Sequence, residues 1–379
     1  MIMLKTPFYD RRSQKGSILK EPFYDPSKSY EENYDEGPFG SFADEVDLRK
    51  NDEPKYDFLG FKINTPFGIP SGPLVNAKFC IAAFKKGFDV IHYKTRRTEK
   101  FPCNSHPNVL FVETNGDLTL EKAKNPLKGS LIAPADLSEI SITNSFGNPS
   151  PDAKVWQDDM RKAIGTEGQG QLLIASVVGT IKEGFSADDY YNDFALGAKL
   201  AKKTGVKVIE LNLSCPNVAS EGVLCYSETA VESICKKARE AVGSDAKLLI
   251  KIGYFSTEQQ NLLEDIIKRV DPYIDGISVI NTIPAAVVDE KGNQALPGEG
   301  RLKAGICGAG IKWAGLDMVK RLKEIRKKMG SDFGIIGVGG VMTPEDFLEY
   351  RKAGADIVQS ATGAMWNPEL AQNVKALGK

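Results

Sequence analysis

Short apolar runs alternate with amphipathic stretches from about residue 58 to the end of the chain. Eight of these runs have the length of buried strands, at residues 67–71, 90–94, 172–177, 206–212, 248–252, 276–281, 333–338 and 357–361. Stretches with a helical period separate most of them, at residues 187–202, 227–241, 257–269, 314–328 and 344–353. Strands that alternate with helices form parallel sheets, so eight such units predict an α/β fold of the (β/α)8 TIM-barrel type.

An open, doubly wound sheet is the alternative architecture. It usually has fewer strands, and for dinucleotide binding it carries an early G-x-G-x-x-G turn, which does not follow the first predicted strand. The stretch 96–170, between the second and third predicted strands, is too long for a simple connection. Its turn-rich islands predict an insertion over the barrel mouth.

The first 55 residues lack both helical and strand periods and are rich in Pro, Tyr, Phe, Ser and acidic residues. Within them Pro7-Phe8-Tyr9-Asp10 recurs as Pro22-Phe23-Tyr24-Asp25, and Pro38-Phe39 follows. We therefore divide the chain into an N-terminal arm at 1–55, extended or partly disordered, and a barrel domain at 56–379. The aromatic residues could anchor the arm on the barrel or on a partner subunit, and a solvated coil is an equal alternative.

Composition and charge narrow the choice of partners. The 49 basic and 50 acidic residues give a net charge of −1, so no overall field attracts a nucleic-acid backbone. The sequence contains no stretch of about 18 apolar residues, the length that a membrane span requires. The N-terminus also lacks the apolar run of a secretion signal. The cysteines form no C-x-x-C pair, which argues against zinc and cysteine-ligated iron–sulfur sites and suits reduced thiols in the cytoplasm: Cys80, Cys103, Cys215, Cys225, Cys235 and Cys307.

Polar side chains gather at the carboxyl ends of the predicted strands, where barrels of this type carry their catalytic groups. Lys94 and Thr95 close the second strand, residues 212–217 follow the fourth, Lys251 lies in the fifth, and residues 281–282 end the sixth. Each asparagine amide offers both a donor and an acceptor, which suits a planar ring with alternating N–H and C=O groups, such as a pyrimidine. Any one asparagine alone could instead cap a helix or a turn.

Glycine-rich turns follow the last three predicted strands. They occupy residues 305–310, 337–341 and 360–363, and Thr343-Pro344 then opens a helix. Backbone amides in such turns, aimed by a helix N-terminus, form the usual phosphate site of barrels after strands seven and eight. The pattern does not distinguish a phosphorylated cofactor from a phosphorylated substrate, and each glycine could simply make a tight turn.

These residues resemble the dihydroorotate dehydrogenases in identity, order and strand position. The resemblance rests on NLSCPN at residues 212–217, the turn at 337–340, Lys94, Lys251 and Asn281, and it covers roughly residues 58–377. In that family a cysteine at position 215 is typical of the soluble class 1 enzymes, whereas membrane-associated class 2 enzymes carry serine. The resemblance implies oxidation of dihydroorotate to orotate in pyrimidine biosynthesis, with hydride transfer to FMN and Cys215 as the general base.

The resemblance also assigns roles residue by residue. It implies FMN across the barrel mouth, held by Ser71, Gly72, Lys94, Thr95, Lys251, Gly308, Gly339, Gly340, Ala361 and Thr362. It implies a substrate site formed by Lys94, Asn144, Phe146, Gly147, Asn148, Asn212, Asn217, Asn281 and Thr282. Within that site, the backbone amides of the loop 144–149 would receive the orotate carboxylate beside Lys94.

Some positions depart from the family pattern. Ala361 and Cys307 stand where glycine is usual, Asn148 replaces an apolar residue, and the arm has no counterpart in short members. None of these changes removes a catalytic group. Of the remaining candidates, His92 lies within a strand pattern and is expected to be structural, and Cys80, Cys225 and Cys235 are expected to be buried in helix-like stretches.

Other functions stay open on the sequence alone. Asn281-Thr282 also resembles the pyrimidine site of dihydropyrimidine dehydrogenase, which acts on uracil-type rings. A flavin-free barrel lyase or isomerase is a second alternative, and a flavin-dependent tRNA dihydrouridine synthase or a noncatalytic binder is a third, against which the near-zero net charge weighs. The electron acceptor is open between fumarate and a partner reductase that carries NAD and iron–sulfur centres, and a homodimer is also open.

Overall fold

The computed structural model describes residues 20–49, 53–134, 136–214 and 224–377. The strands among these residues are β1 (Tyr56–Phe58), β2 (Phe61–Ile63), β3 (Phe67–Ile69), β4 (Val90–Arg96), β5 (Phe111–Val112), β6 (Leu127–Ser130), β7 (Ser141–Asn144), β8 (Leu172–Val177), β9 (Val208–Asn212), β10 (Lys247–Ile252), β11 (Gly276–Val279), β12 (Ile283–Val288), β13 (Lys303–Gly308), β14 (Gly334–Val338) and β15 (Ile357–Gln359).

The α-helices among the described residues are α1 (Tyr30–Glu36), α2 (Ala77–Lys85), α3 (Ala153–Ile164), α4 (Ala187–Lys202), α5 (Glu228–Val242), α6 (Gln260–Val270), α7 (Lys312–Met329), α8 (Pro344–Ala353), α9 (Thr362–Trp366) and α10 (Leu370–Ala376). Short 3-10 helices lie at Gly40–Phe42, Lys122–Lys124, Leu137–Glu139, Leu224–Tyr226, Thr257–Gln259 and Ala309–Ile311. None of the helices in the described part of the chain has the length and apolar character needed to cross a membrane.

Eight parallel strands close into a barrel in the order β3-β4-β8-β9-β10-β11-β14-β15. The predicted fold class is confirmed, and each barrel strand lies within two residues of its predicted bounds. The barrel strands are buried on both faces, as their continuous apolar runs require. The hairpin of β1 and β2 packs Phe58 and Ile63 against the barrel's interior side chains at the amino-terminal ends of the strands.

A second, smaller sheet lies over the barrel mouth. Its five strands close in the order β12-β13-β7-β5-β6, mostly in antiparallel pairs. Three of the strands come from the predicted insertion at 96–170, while β12 and β13 come from the connection after β11. This second contribution was not predicted, because β12 and β13 pair with each other but join the sheet only through β6 and β7, which lie more than 140 residues away in the chain.

Residues 20–49, called here the N-terminal segment, pack against the barrel. Ser29 and Glu32 form a capping box that starts α1. Phe23 stacks on Phe42 with ring centroids 4.3 Å apart, and Phe42 meets Phe88 beside the barrel. The second copy of the Pro-Phe-Tyr-Asp motif is therefore buried, whereas the first copy, at 7–10, lies outside the described residues.

Candidate active site

A cavity of about 810 Å³, counting open space at its mouth, lies at the carboxyl ends of the barrel strands. Most residues that the sequence singled out line it together: Ser71, Gly72, Lys94, Thr95, Asn144, Gly147, Asn148, Asn212, Lys251, Asn281, Thr282, Gly308, Gly339, Gly340, Ala361 and Thr362. Phe146 lies instead in an adjoining apolar pocket of about 380 Å³. Cys215 and Asn217 lie outside the described residues.

The cavity has further lining residues that sequence reasoning did not assign to it. They are Pro70, Cys307, Ile311, Val338, Val341, Met342 and Gly363. Most are small or apolar residues beside a predicted site residue, so they carried no chemical signal of their own. They supply apolar walls around the polar groups, as is usual in sites for planar ligands.

A chain of hydroxyl groups runs from the cavity into the barrel. The Thr95 hydroxyl donates to Ser71 Oγ at 3.1 Å and lies 3.0 Å from Ser176 Oγ. Ser176 in turn donates to Glu210 Oε1 at 3.2 Å. All four residues are buried, so the side of the cavity formed by β3 and β4 is tied to a carboxylate inside the barrel.

Glu210 is the centre of a buried group of charges. Its Oε2 atom lies 3.1 Å from His92 Nε2, and His92 Nδ1 lies 2.8 Å from the Gln359 amide. Burial would raise the pKa of Glu210, but His92, with help from Lys251, lowers it to about 2. His92 is thus structural, as expected, and the barrel interior holds a carboxylate next to the cavity.

Lys251 projects from β10 into the cavity and is 5% exposed. Burial lowers the pKa of its ammonium group, while the carboxylate of Glu210 and the thiol of Cys307 oppose this shift. A lysine on this wall could donate to a polar edge of a flavin ring. Glu210, which sequence reasoning missed, favours the charged form of that lysine.

Two asparagine side chains orient the backbone at Ser214. Asn281 Nδ2 donates to the Ser214 carbonyl at 2.9 Å, and the Ser214 N–H donates to Asn212 Oδ1 at 3.3 Å. Asn212 pairs in register with Lys251 on the neighbouring strand. The residue directly before Cys215 is therefore held by two of the predicted substrate ligands.

Glycine residues form a further wall of the cavity, near the ends of β13 and β14. A Cβ atom on Gly340, whose φ is +65°, would lie 2.7 Å from the backbone nitrogen of Lys312, and one on Gly308 would lie 2.2 Å from the Ile140 carbonyl oxygen. Side chains are therefore excluded from both positions. The N–H groups of Met342 and Thr343, directly before α8, are not available to a ligand, because both donate to Asp346 Oδ2. A phosphate would depend on the turns at 339–340 and 361–363.

Two arginines hold the loop 144–149 by its carbonyl groups. Arg97 donates to the carbonyl oxygens of Gly147 at 3.2 Å and Asn148 at 3.0 Å, and Arg96 donates to Pro149 at 3.2 Å. Both arginines are at most 3% exposed. Their position directly after Lys94-Thr95, at the end of a buried strand, was the available sequence signal for this role.

A third arginine fixes the base of the same loop. Arg301 donates to the Ser145 carbonyl oxygen and to its hydroxyl, each at 3.0 Å. Asn104 Nδ2 also donates to the Ser145 carbonyl, at 3.2 Å. Arg301 lies 156 residues from Ser145 in the chain, so no local pattern could have indicated the contact. Carbonyl groups fixed by cations in this way are consistent with a loop that presents its amides to an anion.

Lys94 lies beside this loop. Its Nζ atom donates to the Gly72 carbonyl oxygen at 2.8 Å and lies 4.9 Å from the centre of the Phe146 ring. At 3% exposure the ammonium group is largely shielded from water. A cation in such a place interacts strongly with an anion that enters the cavity.

Comparisons with known proteins give the chain its family. A family model described as dihydroorotate dehydrogenase matches residues 133–376. The dihydroorotate dehydrogenase of Dictyostelium discoideum is 35% identical over 361 residues, which cover 93% of this chain and 96% of that protein. The catalytic subunit of dihydroorotate dehydrogenase B (NAD(+)) from Petrotoga mobilis is 29% identical over 235 residues, 60% of this chain and 68% of that protein.

A solved structure has the same fold. It is that of DHODH from Eimeria tenella in complex with ferulenol, with a TM-score of 0.66, 20% identity, and coverage of 87% of this chain and 85% of that one. The family match covers more than half of the chain, and the Dictyostelium relative aligns along nearly all of it. The chain belongs to the dihydroorotate dehydrogenase family.

Proposed function

We propose that this chain oxidises dihydroorotate to orotate, with FMN bound across the barrel mouth and Cys215 as the general base. The Cys215 sulfur would take the proton from C5 as a hydride leaves C6, so that a C5=C6 double bond forms. When bound, FMN supplies the hydride acceptor at its N5 atom. The observation that carries the proposal is one cavity lined by two buried lysines, four asparagines and a glycine wall.

The cavity suits a flavin in three ways. Its glycine wall leaves room for a flat ring and for the phosphate at Gly339, Gly340, Ala361 and Thr362. Other parts of the lining offer Lys251, Ser71, Gly72 and Thr95. Among the described residues, the buried hydroxyl oxygen of Thr282 has no hydrogen-bond partner, and a polar ligand in the cavity would satisfy it.

The substrate side suits a pyrimidine that carries a carboxylate. The Asn281 nitrogen is engaged with Ser214, which turns its carbonyl oxygen to accept from a ring N–H. The Asn212 oxygen accepts from the Ser214 N–H, which turns its amide nitrogen to donate to a ring carbonyl. The loop 144–149 and Lys94 would receive the carboxylate. A uracil-type ring would leave that part of the site unused, which favours dihydroorotate over the dihydropyrimidine alternative.

Cys215 is assigned through its neighbours. Asn212 and Asn281 orient Ser214, and two lysines line the same cavity. Cations near a cysteine favour the thiolate, which is the form that can accept a proton. The asparagines would therefore direct the base towards C5 of the ring while the lysines favour its reactive form.

The test is anaerobic flavin reduction by dihydroorotate in a stopped-flow instrument, which separates this half-reaction from the acceptor. We expect Cys215→Ala to bind FMN and orotate with near-parental affinity and to reduce its flavin about 10²- to 10⁴-fold more slowly. Cys215→Ser should keep some activity and move the rising limb of the pH profile upward, because a hydroxyl is harder to deprotonate than a thiol. The matched control is Cys235→Ala, which removes a buried thiol on α5. Dihydroorotate should reduce the flavin of this variant at the parental rate. An alanine variant at position 215 that keeps the parental rate would refute the assignment.

The acceptor is a separate part of the proposal. Fumarate is a dicarboxylate that the same loop and Lys94 could bind, whereas a partner reductase would need a docking surface. The relative from Petrotoga mobilis is named as a catalytic subunit that uses NAD(+). If fumarate alone reoxidises the reduced protein, and orotate competes with it, the result supports fumarate as the acceptor. Reoxidation that needs a reductase and NAD supports the second.

A further inference from the structure

The N-terminal segment reaches the loop 144–149 through two tyrosines. The Tyr24 ring meets the Phe146 ring edge-on with centroids 5.6 Å apart, and the Tyr30 ring meets it at 6.1 Å in a similar geometry. The three side chains are between 2% and 9% exposed. Edge-to-face pairs at these distances stabilise a fixed ring orientation, so Phe146 is held from the N-terminal side.

The same rings surround the ammonium group of Lys94. Its Nζ atom lies 4.9 Å from the Phe146 centroid and 6.0 Å from the Tyr30 centroid. Aromatic faces at this range attract a cation, and the attraction grows when water is excluded. Tyr30 thus acts on Lys94 directly and also through Phe146.

A third contact joins α1 to the far end of the loop. Arg96 donates to the Tyr30 hydroxyl at 3.3 Å and to the Pro149 carbonyl oxygen at 3.2 Å. Arg96 is fully buried, and a buried guanidinium is costly to leave without hydrogen-bond acceptors. Loss of the Tyr30 hydroxyl would therefore disturb the cation that holds Pro149.

We propose that Tyr24 and Tyr30 are positioning residues of the substrate site. They fix Phe146, and with it the loop 144–149 and Lys94, in the arrangement that receives the substrate carboxylate. The segment before the barrel is then part of the specificity machinery. The assignment of a carboxylate rests on the proposed function, but the effect of the tyrosines on the loop does not.

Simple core packing would bury the same rings, so the test needs a control for lost packing. Phe42 provides it, because it lies in the same segment, is 3% exposed, and packs on Phe23 and Phe88 instead of Phe146. The variants are Tyr30→Phe, Tyr30→Leu, Tyr24→Leu and Phe42→Leu in the full chain with FMN bound. Tyr30→Phe keeps the ring and removes only the hydroxyl that Arg96 contacts.

The first measurement is hydrogen exchange of backbone amides at 144–149 without substrate. Exchange should be faster in Tyr30→Leu and Tyr24→Leu than in the parent, and unchanged in Phe42→Leu. The second is binding of orotate and of uracil, followed by the flavin spectrum. Loss of one or two aromatic pairs should weaken orotate by about tenfold in Tyr30→Leu, with a smaller loss in Tyr30→Phe and in uracil binding. FMN affinity should stay near the parental value.

Several outcomes would overturn the proposal. They are parental exchange and orotate affinity in both Tyr30→Leu and Tyr24→Leu, an equal loss for orotate and uracil in these variants, or an equal effect from the control Phe42→Leu. Failure of the proposed function has a different signature, in which the parent itself does not bind orotate or reduce its flavin with dihydroorotate. In that case the exchange data still decide whether the tyrosines hold the loop.

Discussion

Lys94 offers the sharpest test of whether the cavity receives a carboxylate. Lys94→Met keeps the aliphatic stem beside Phe146 and removes the charge, together with the hydrogen bond to the Gly72 carbonyl. The hydrogen bonds by which Arg96 and Arg97 hold the loop do not involve Lys94. Lys94 is one of ten predicted FMN ligands, and the other nine are unchanged. We therefore expect the fold to remain and FMN to stay bound, with its affinity measured alongside, while recognition of the anion is lost.

The magnitude follows from the burial of the side chain. Lys94 is 3% exposed, so water screens its charge only weakly. A hydrogen bond between charged groups contributes roughly 1.5–3 kcal/mol, which corresponds to about a 10- to 150-fold change in affinity. Orotate should weaken by this factor in Lys94→Met. Uracil has no carboxylate, so its affinity should change much less.

Affinities can be measured from the shift of the flavin spectrum on titration with orotate, and with uracil in competition. Lys86→Met is the matched control, because Lys86 is equally buried but contacts Asp44 away from the cavity. The control should bind both ligands like the parent. Equal losses for orotate and uracil in Lys94→Met would refute the carboxylate site and would favour an enzyme for uracil-type rings.

Two further predictions concern the glycine wall and the buried carboxylate. Gly340→Ala should weaken FMN binding at least about tenfold in a fluorescence titration, because the new Cβ atom would meet the backbone of Lys312. The control is Gly330→Ala, at a residue with the same φ of +65° but with open space around it. This control should lower the stability of the fold by only roughly 1–2 kcal/mol and leave FMN binding unchanged. The pKa of Glu210 is held at about 2 in the folded protein, below its unfolded value. Its charge therefore stabilises the fold above the unfolded pKa, and up to about 3 kcal/mol is lost as the pH falls towards 2. Urea unfolding from pH 7 to pH 3 should show this loss in the parent and a flatter profile in Glu210→Gln; a parallel slope in the two proteins would contradict the assignment.

The barrel and the residues that line its mouth could be predicted from the sequence because their signals are local. Each barrel strand is a continuous apolar run between turn residues, and the polar groups follow from strand ends that a closed barrel must bring together. Lys94, Asn212, Lys251 and Asn281 therefore converge as expected. The glycine turn at 339–340 could also be predicted, because both residues have positive φ values and the close contacts at Gly340 leave no room for a side chain.

The contacts around the proposed substrate site were harder to predict, because the side chains that hold it in place are distant in the sequence. Arg301 reaches Ser145 across 156 residues, and Tyr30 reaches Arg96 across 66. The sequence around Glu210 does not distinguish it from other strand residues. Only the folded barrel brings His92 and Lys251 close to its carboxylate. The spacing of hydrophobic residues indicates which face of a helix or strand is buried. It does not identify the residues of other elements that this face contacts.

The two sides of the cavity meet at Cys307. Its Sγ atom lies 3.7 Å from the hydroxyl of Thr362, a residue proposed to bind FMN, and 3.6 Å from the Ile142 carbonyl oxygen on β7. β7 ends at Asn144, where the substrate loop begins. Burial raises the pKa of the Cys307 thiol to about 11, so it is a neutral packing group at neutral pH. The Cys307 side chain thus links the wall proposed for FMN to β7, the strand that leads into the loop 144–149. Under our proposals the loop is then held through two separate elements, through β7 by Cys307 and through Phe146 by Tyr24 and Tyr30.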